Sequence, residues 1–182
     1  MRRHLAYAAG AAVLALAGCG GDDPTPQVAD PTPTATVSAS PSASAAVEKE
    51  AWEKKTDDGA VAFVEHWLEV FNEMQVTGER SDLRAISSGE CQSCANIFEK
   101  SKEIYGAGGS IQTKGWSVDQ IGISPGLEDD ERQVAVRVRQ APQTVMSADG
   151  EKTKFPGGPL TVTATVAWSG NEWTMQELAL QS

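Results

Sequence analysis

Apolar residues recur at helical spacing along the segment that follows Thr56. They form one broad stripe: Ala60, Phe63, Val64, Trp67, Leu68, Phe71 and Met74. Thr56 and the two aspartates after it offer capping oxygens and negative charge at a helix start, and Gly78 suits a C-terminal stop. The pattern predicts a helix over about residues 57–76.

Two shorter helices are predicted next. Ser81 and Asp82 can cap a short helix that carries Leu83 and Ile86. A third helix, over about residues 90–105, places four side chains on one face: Cys91, Cys94, Phe98 and Tyr105. The Gly- and Ala-rich residues 106–109 end this helix, because glycine is unfavourable in a helix interior.

Beyond Gly109 the apolar period changes from about 3.6 residues to 2, which indicates strands. The valines of one run alternate with small or basic residues: Val134, Val136 and Val138. A second run, over residues 160–168, alternates apolar residues with threonines. Each pattern predicts a strand with one buried and one solvated face.

In an earlier predicted strand the apolar residues switch from even-numbered to odd-numbered positions. Trp116 and Val118 are even-numbered, whereas Ile121 and Ile123 are odd-numbered, so the two pairs would face opposite sides of a regular strand. One extra residue near positions 119–120 would reconcile them, which predicts a β-bulge. The parity leaves open whether Asp119 faces the interior.

Turn sequences separate the later strands. Ser169-Gly170-Asn171 predicts a hairpin turn into a strand over residues 172–180, and Asp149-Gly150 predicts a turn inside a longer excursion over residues 142–159. Helices followed by antiparallel strands predict an α+β domain, with the N-terminal helices packed on one face of a bent sheet.

The N-terminus is typical of an export signal. Arg2 and Arg3 precede an apolar run of 13 residues, Leu5 to Ala17. Because a spanning helix needs about 20 apolar residues, we expect a signal peptide over residues 1–18. Cys19 directly after Gly18 is typical of a bacterial lipoprotein, so we expect a diacylglycerol on this cysteine. That lipid, with further acylation such as palmitate, would hold the protein on the extracytoplasmic face of the cell membrane.

The composition changes between Pro24 and Val47. Of these 24 positions, 19 are Pro, Ser, Thr or Ala. Such a segment cannot bury enough apolar surface to offset the entropy of ordering it. We therefore predict a lipidated cysteine and disordered tether over residues 19–55 and one globular domain over residues 56–182.

The charge of the chain argues against one class of partner. Its net charge is −10, and removal of residues 1–18 takes away two arginines and makes it −12. A polyanion is repelled by such a surface, so we expect no nucleic-acid binding. Anionic headgroups are repelled as well, which makes the N-terminal lipid the expected membrane attachment.

The whole chain resembles a family of actinobacterial lipoproteins of unknown function. The shared features are the signal ending in Cys19, the tether, the Phe63–Trp67 segment, the Cys91–Cys94 pair and the Tyr105–Gly109 segment. The order of elements resembles the nuclear-transport-factor-two-like, or cystatin-like, cone fold. The family carries no established activity, so the resemblance implies fold and location only.

Cys91 and Cys94 are the thiols that remain after lipidation of Cys19. In an oxidising compartment a helical i to i+3 pair lies within bridging range, which predicts a disulfide. The alternative is a redox centre, because this spacing at a helix N-terminus lowers thiol pKa values. The shared face with Phe98 and Tyr105 favours a structural bridge. A zinc site lacks a second ligand pair.

The polar residues suggest no catalytic set. His66 falls on the helix face of Glu65, Glu69 and Glu73, which favours a solvated histidine paired with Glu69 or Glu73 over a catalytic base. Enzymes of the cone fold resembled here place an acid/base pair and a tyrosine inside the cone. We expect no catalytic residue, cofactor or metal. The acidic residues 128–131 favour a solvated turn over a calcium site.

The aromatic residues include candidates for a pocket lining: Trp67, Tyr105, Trp116 and Trp168. The periodic positions of the tryptophans favour the core. If the cone is open, these rings would surround a small apolar or sugar-like ligand.

Together these features favour a lipid-anchored, extracytoplasmic and non-enzymatic binding or interaction module of the cell envelope. Its expected partner is an envelope protein or a small apolar ligand. The alternative is a small-molecule binding or enzymatic domain that uses the interior pocket of the cone. A third hypothesis, thiol redox activity, depends on an exchangeable Cys91–Cys94 bridge.

Overall fold

The helices come first in the part of the chain that the computed structural model describes, residues 49–124 and 130–181. A short 3₁₀ helix, Ala51–Glu53, precedes α1 (Asp57–Thr77), α2 (Ser81–Ala85) and α3 (Gln92–Gly106). The predicted signal peptide, Cys19 and the tether up to residue 48 lie outside the described residues. No helix of the described segments combines the length and apolar character that a membrane crossing requires.

The ends of α1 are fixed by the residues that the sequence indicated. The Thr56 hydroxyl accepts a hydrogen bond from the Gly59 amide at 2.9 Å. At the other end Gly78 has φ 75°, and its N–H donates to the Met74 carbonyl at 2.9 Å. A left-handed residue at this position is the usual helix stop, and glycine adopts it without a steric penalty. The helix predicted over residues 57–76 is confirmed.

The two shorter helices differ from the prediction at their starts. Arg80 is the N-cap residue of α2 and makes no side-chain capping bond, so the predicted capping by Ser81 and Asp82 is wrong. The third helix begins at Gln92, two residues later than predicted, because Cys91 is its N-cap. The sulfur of Cys91 accepts a hydrogen bond from the Cys94 amide at 3.2 Å.

The strands form two antiparallel sheets. In chain order they are β1 (Ser110–Gln112), β2 (Trp116–Ser124), β3 (Glu131–Gln140), β4 (Gln143–Met146), β5 (Lys152–Phe155), β6 (Gly158–Ser169) and β7 (Glu172–Leu180). The larger sheet has the order β2-β3-β6-β7, and the smaller one has the order β1-β4-β5. The excursion over residues 142–159 therefore contains a hairpin that pairs with β1, which the sequence did not indicate.

The predicted bulge lies in β2. The register with β3 shifts between Val118 and Gln120, so Asp119 is the extra residue. The Asp119 carboxylate accepts a hydrogen bond from the Arg139 guanidinium at 2.9 Å, and Arg139 is exposed. Asp119 thus faces the solvated side of the sheet and not the interior.

The core lies between α1 and the inner face of the larger sheet. Six inward residues of β3 and β6 are 1% exposed or less: Val134, Val136, Val138, Val162, Ala164 and Val166. They share one cluster with Phe63, Trp67 and Phe71 of α1 and with Met175 of β7. The predicted fold class is confirmed: the domain is α+β, with helices packed on one face of an antiparallel sheet.

Candidate functional site

The predicted pocket residues Trp67 and Trp116 are parts of one aromatic chain. Trp67 is fully buried and its indole N–H donates to the Ser87 hydroxyl at 2.9 Å. Its ring stacks on Phe71 with centroids 5.5 Å apart, and Phe71 meets Trp116 edge-on at 5.1 Å. Trp67 therefore packs as a core residue. Trp116 is half-buried at the start of β2.

The other two predicted pocket residues lie elsewhere. The Tyr105 hydroxyl donates to the Gln75 carbonyl at 2.7 Å and accepts from the Ile111 amide at 3.2 Å, so it joins α1, α3 and β1. Trp168 meets Trp173 edge-on, with centroids 5.2 Å apart, beside the β6–β7 turn. None of the four predicted residues lines the clefts described below.

The predicted disulfide between Cys91 and Cys94 is present. Each cysteine is 1% exposed and belongs to the core cluster. Between them, the Ser93 hydroxyl accepts a hydrogen bond from the Leu178 amide at 2.9 Å, which ties the start of α3 to β7. The bridge therefore closes the first turn of α3, and the Ser93 hydrogen bond holds this helix end against the sheet.

A small cleft opens beside this bridge. Its volume is about 130 Å³, and it is lined by Arg84, Ser87, Ser88, Gly89, Cys91, Ala95, Phe98 and Glu99. The Arg84 guanidinium lies over the Phe98 ring, 4.6 Å from its centroid. The guanidinium on this wall of the cleft is therefore already engaged in a cation–π contact.

His66 differs from its predicted arrangement. Its imidazole stacks on the Trp52 indole with centroids 4.4 Å apart and planes inclined by 5°. Among the described residues it forms no ion pair with Glu69 or Glu73, so that prediction is wrong. The reason is that the 3₁₀ helix lies against α1 and covers His66 with an aromatic ring. Contacts with the domain thus begin before residue 56.

The Trp52–His66 stack forms one side of a mixed cleft, here called the Trp52 cleft. Its volume is about 190 Å³, and its lining residues are Trp52, Glu53, Phe63, His66, Ile86, Asn171, Glu172 and Trp173. They come from the 3₁₀ helix, α1, the end of α2 and the β6–β7 turn. Three aromatic side chains, two carboxylates, an imidazole and an amide therefore meet around one opening.

The opposite side of the Trp52 cleft is built by the β6–β7 turn. Gly170 and Asn171 have φ values of 60° and 72°, as a two-residue hairpin turn with left-handed central residues requires. The turn is followed at once by Glu172 and Trp173. The Trp173 indole N–H donates to the Lys54 carbonyl at 2.9 Å, which fixes the 3₁₀ helix against β7.

A third cleft lies between α3 and the smaller sheet. It has a volume of about 310 Å³ and is lined by Lys100, Ile104, Gln140, Gln143, Val145, Phe155 and Pro156. Phe155 is 47% exposed at its edge. Nothing in the described residues shows what covers this apolar surface.

Metal binding finds no support in the described segments. They contain no group of three or more His, Cys, Asp or Glu side chains that could hold a metal ion. Of the acidic turn, residues 128 and 129 lie outside the described segments, and the Asp130 carboxylate accepts a hydrogen bond from the Lys55 ammonium.

Two residues of the Trp52 cleft were missed by the sequence reasoning. Trp52 falls within the predicted tether, and Glu172 was predicted only as the start of a strand. A signal was present, because Trp52 is the one large apolar residue among the charged residues 48–58. Covering the ring of such a tryptophan with the neighbouring domain removes apolar surface from water, which favours contact between this segment and the domain.

These elements define the class: an α+β protein whose helices cover one face of an antiparallel sheet. The chain belongs to a family of unknown function, DUF6318, and residues 40–179 match that family. No protein of curated function matches the chain.

The chain is similar to several solved structures. The intermembrane space region of the chloroplast protein ARC6 is 10% identical, with 70% of this chain and 97% of that one covered and a TM-score of 0.53. The protein Aln2 from a Streptomyces species is 12% identical over 70% of this chain and 93% of that one, with a TM-score of 0.46. An uncharacterised protein with a cystatin-like fold from Caulobacter vibrioides is also 12% identical. The match covers 69% of this chain and 89% of that one, with a TM-score of 0.45. At these identities the similarity concerns the fold alone.

Proposed function

We propose that this chain is a lipid-anchored protein on the extracytoplasmic face of an actinobacterial cell membrane, with a non-enzymatic domain that binds a partner at its outer surface. The location is supported by the sequence: a basic start, the apolar run from Leu5 to Ala17, and Cys19 directly after Gly18. Two acyl chains give much firmer attachment than one. The tether would then carry the domain away from the bilayer.

The proposal of binding at the outer surface depends on one observation: apolar side chains fill the interior between α1 and the larger sheet. A cone that takes a ligand or performs catalysis needs an enclosed space with several converging polar groups. Here the inward positions are apolar and buried, as Val136 and Val166 at 0% exposure illustrate. The polar atom of Trp67 is already bonded to Ser87. Contacts at the outer surface are therefore favoured over the alternative of an interior site.

Metabolic labelling tests the anchor. Cells that express the full chain are grown with labelled palmitate, and the chain is isolated from the membrane fraction. We expect label on the unaltered chain, none on Cys19→Ala, and unchanged label on Cys91→Ser/Cys94→Ser. Label on Cys19→Ala, or an unlabelled cytosolic chain that retains Met1, would refute the proposal.

Xenon tests the site of binding, because an empty apolar cavity takes up xenon whereas a filled core does not. In methyl NMR spectra under xenon pressure we expect the signals of Val136, Val162 and Val166 to stay unchanged. Saturable shifts at these three valines would favour the interior-pocket alternative instead.

A further inference from the structure

We propose that the Trp52 cleft is a binding site for a small organic cation, an alkylammonium group such as a quaternary amine. The inference rests on the proposed function in one respect, that ligands meet the outer surface of the domain. It does not depend on the lipid at Cys19.

The charge of the lining favours a cation. Glu53 and Glu172 contribute two carboxylates, and no lysine or arginine is among the lining residues. Of the lysines that follow Glu53 in the chain, Lys55 is bonded to Asp130, and Lys54 is not among the lining residues. A cleft lined by one sign of charge concentrates the field of that sign, which attracts cations and repels anions.

The aromatic rings favour an organic cation over a metal ion. The face of an indole attracts an ammonium group through its quadrupole. Of the three aromatic residues that line this cleft, Trp52 is half-buried and can present its ring to a ligand, whereas Phe63 and Trp173 are each 2% exposed and form part of the packed wall. A group of three or more carboxylate, imidazole or thiol ligands, which a metal ion would need, is lacking among the described residues.

The rings are in place before any ligand arrives. Trp52 is stacked on His66, and Trp173 is held by its hydrogen bond to Lys54 and by its edge contact with Trp168. Phe63 and Trp173 are each 2% exposed, so their positions are fixed by the core. A site that is ordered in advance loses less entropy on binding.

The size of the cleft restricts the ligand further. Its volume of about 190 Å³ lies below the roughly 300–1,000 Å³ of pockets for drug-sized molecules. A compact headgroup therefore suits this space.

A pair of matched probes tests the proposal. Choline and 3,3-dimethylbutan-1-ol have nearly the same shape, but only choline is charged. Each is titrated into the full chain in a non-ionic detergent, and the indole N–H signals of Trp52 and Trp173 are followed by NMR. We expect saturable shifts with choline and about tenfold weaker binding of the neutral probe.

Variants locate the site. We expect Trp52→Ala and Glu172→Gln to weaken choline binding severalfold, whereas Glu151→Gln, which removes the same charge from an exposed turn outside the cleft, leaves it unchanged. Glu172 is exposed, so its variant keeps the test valid even if Trp52→Ala fails to fold. Equal binding of both probes, glucose binding in place of choline, no saturable shift, or unchanged binding by Glu172→Gln would each overturn the inference. None of these outcomes affects the test at Cys19.

Discussion

Asn72 of α1 and Trp116 of β2 are joined by two hydrogen bonds between one side-chain amide and the backbone of one residue. The Trp116 N–H donates to Asn72 Oδ1 at 2.8 Å, and Asn72 Nδ2 donates to the Trp116 carbonyl at 2.9 Å. The amide thus pairs with the free edge of β2 as a neighbouring strand would. Gly115 permits this approach, since a Cβ there would lie 2.5 Å from Asn72 Oδ1.

Replacing Asn72 should therefore destabilise the domain. Asn72→Ala leaves a half-buried N–H and C=O without partners, and we expect it to lower the free energy of unfolding by about 2 kcal/mol. Asn72→Asp keeps the acceptor, but its ionised carboxylate sets an oxygen against the Trp116 carbonyl, so its loss should be at least as large at neutral pH. The loss should shrink at low pH, where the protonated carboxyl can donate to that carbonyl. Urea unfolding measures both variants, and a loss below about 0.5 kcal/mol for Asn72→Ala would contradict the role given to this amide.

Gly78 offers a second test, at the end of α1. Its φ of 75° is costly for alanine, and a Cβ there would lie 2.7 Å or less from three atoms of the Tyr105 ring. We expect Gly78→Ala to lower the free energy of unfolding by about 3 kcal/mol, from backbone strain and displacement of Tyr105 together.

Gly89→Ala is the matched control for this prediction, because a Cβ at Gly89 meets nothing within 4 Å and its φ is ordinary. It should change the free energy of unfolding by no more than about 0.5 kcal/mol. Equal effects of the two substitutions would show that the contact with Tyr105 is not the cause.

The parts of the fold that the sequence predicts are the elements in which a regular apolar pattern repeats over many residues. Helix α1 repeats its apolar stripe over about four turns and has caps at Thr56 and Gly78. In β2 the change of parity predicted a bulge near positions 119–120, because an extra residue exchanges the two faces of a strand, and the structure places it at Asp119. These features depend on neighbours along the chain.

The parts that escaped prediction depend on distant neighbours. Strands β1, β4 and β5 have three or four residues each, too few for an alternating pattern, and β5 is exposed throughout. Their order comes from pairings such as Ile111 with Val145. In the same way, the charges around His66 predicted an ion pair, whereas its actual partner Trp52 comes from outside the helix.

The β4–β5 turn provides a prediction about pH. The Ser147 hydroxyl donates to the Asp149 carboxylate, and this bond, with those from the backbone N–H groups of Glu151 and Asp149, lowers the pKa of Asp149. A lowered pKa in the folded state means that the contribution to stability is present above the unfolded pKa and is lost as the pH falls through the folded value. We expect an NMR titration to show Asp149 ionising below its ordinary range.

Ser147→Ala should raise the pKa of Asp149 towards its ordinary value, because it removes the largest of these contributions. Glu151→Gln removes an exposed charge next to the turn and keeps all three hydrogen bonds to the Asp149 carboxylate, so it serves as the control. An unchanged Asp149 titration in Ser147→Ala would assign the shift to another cause.

The Cys91–Cys94 bridge gives the last prediction, which separates a structural disulfide from a redox centre. A thiol reagent must reach a sulfur to reduce the bond, and both cysteines are only 1% exposed. We expect the native bridge to resist millimolar thiol and to become reducible on unfolding, as measured by alkylation and mass spectrometry.

The stabilisation by this bridge should be small, because it closes a loop of only a few residues. The chain-entropy model gives about 2 kcal/mol. Cys91→Ala/Cys94→Ala should lower the free energy of unfolding by at least that amount, because it also removes the Cys91 cap and two buried sulfurs. Ser93→Ala, which keeps the bridge but loses the bond to Leu178, is the comparison for the tie to β7. Rapid alkylation of both cysteines in the folded, thiol-treated protein would instead favour the exchange-active alternative, because only an accessible sulfur can enter a mixed disulfide.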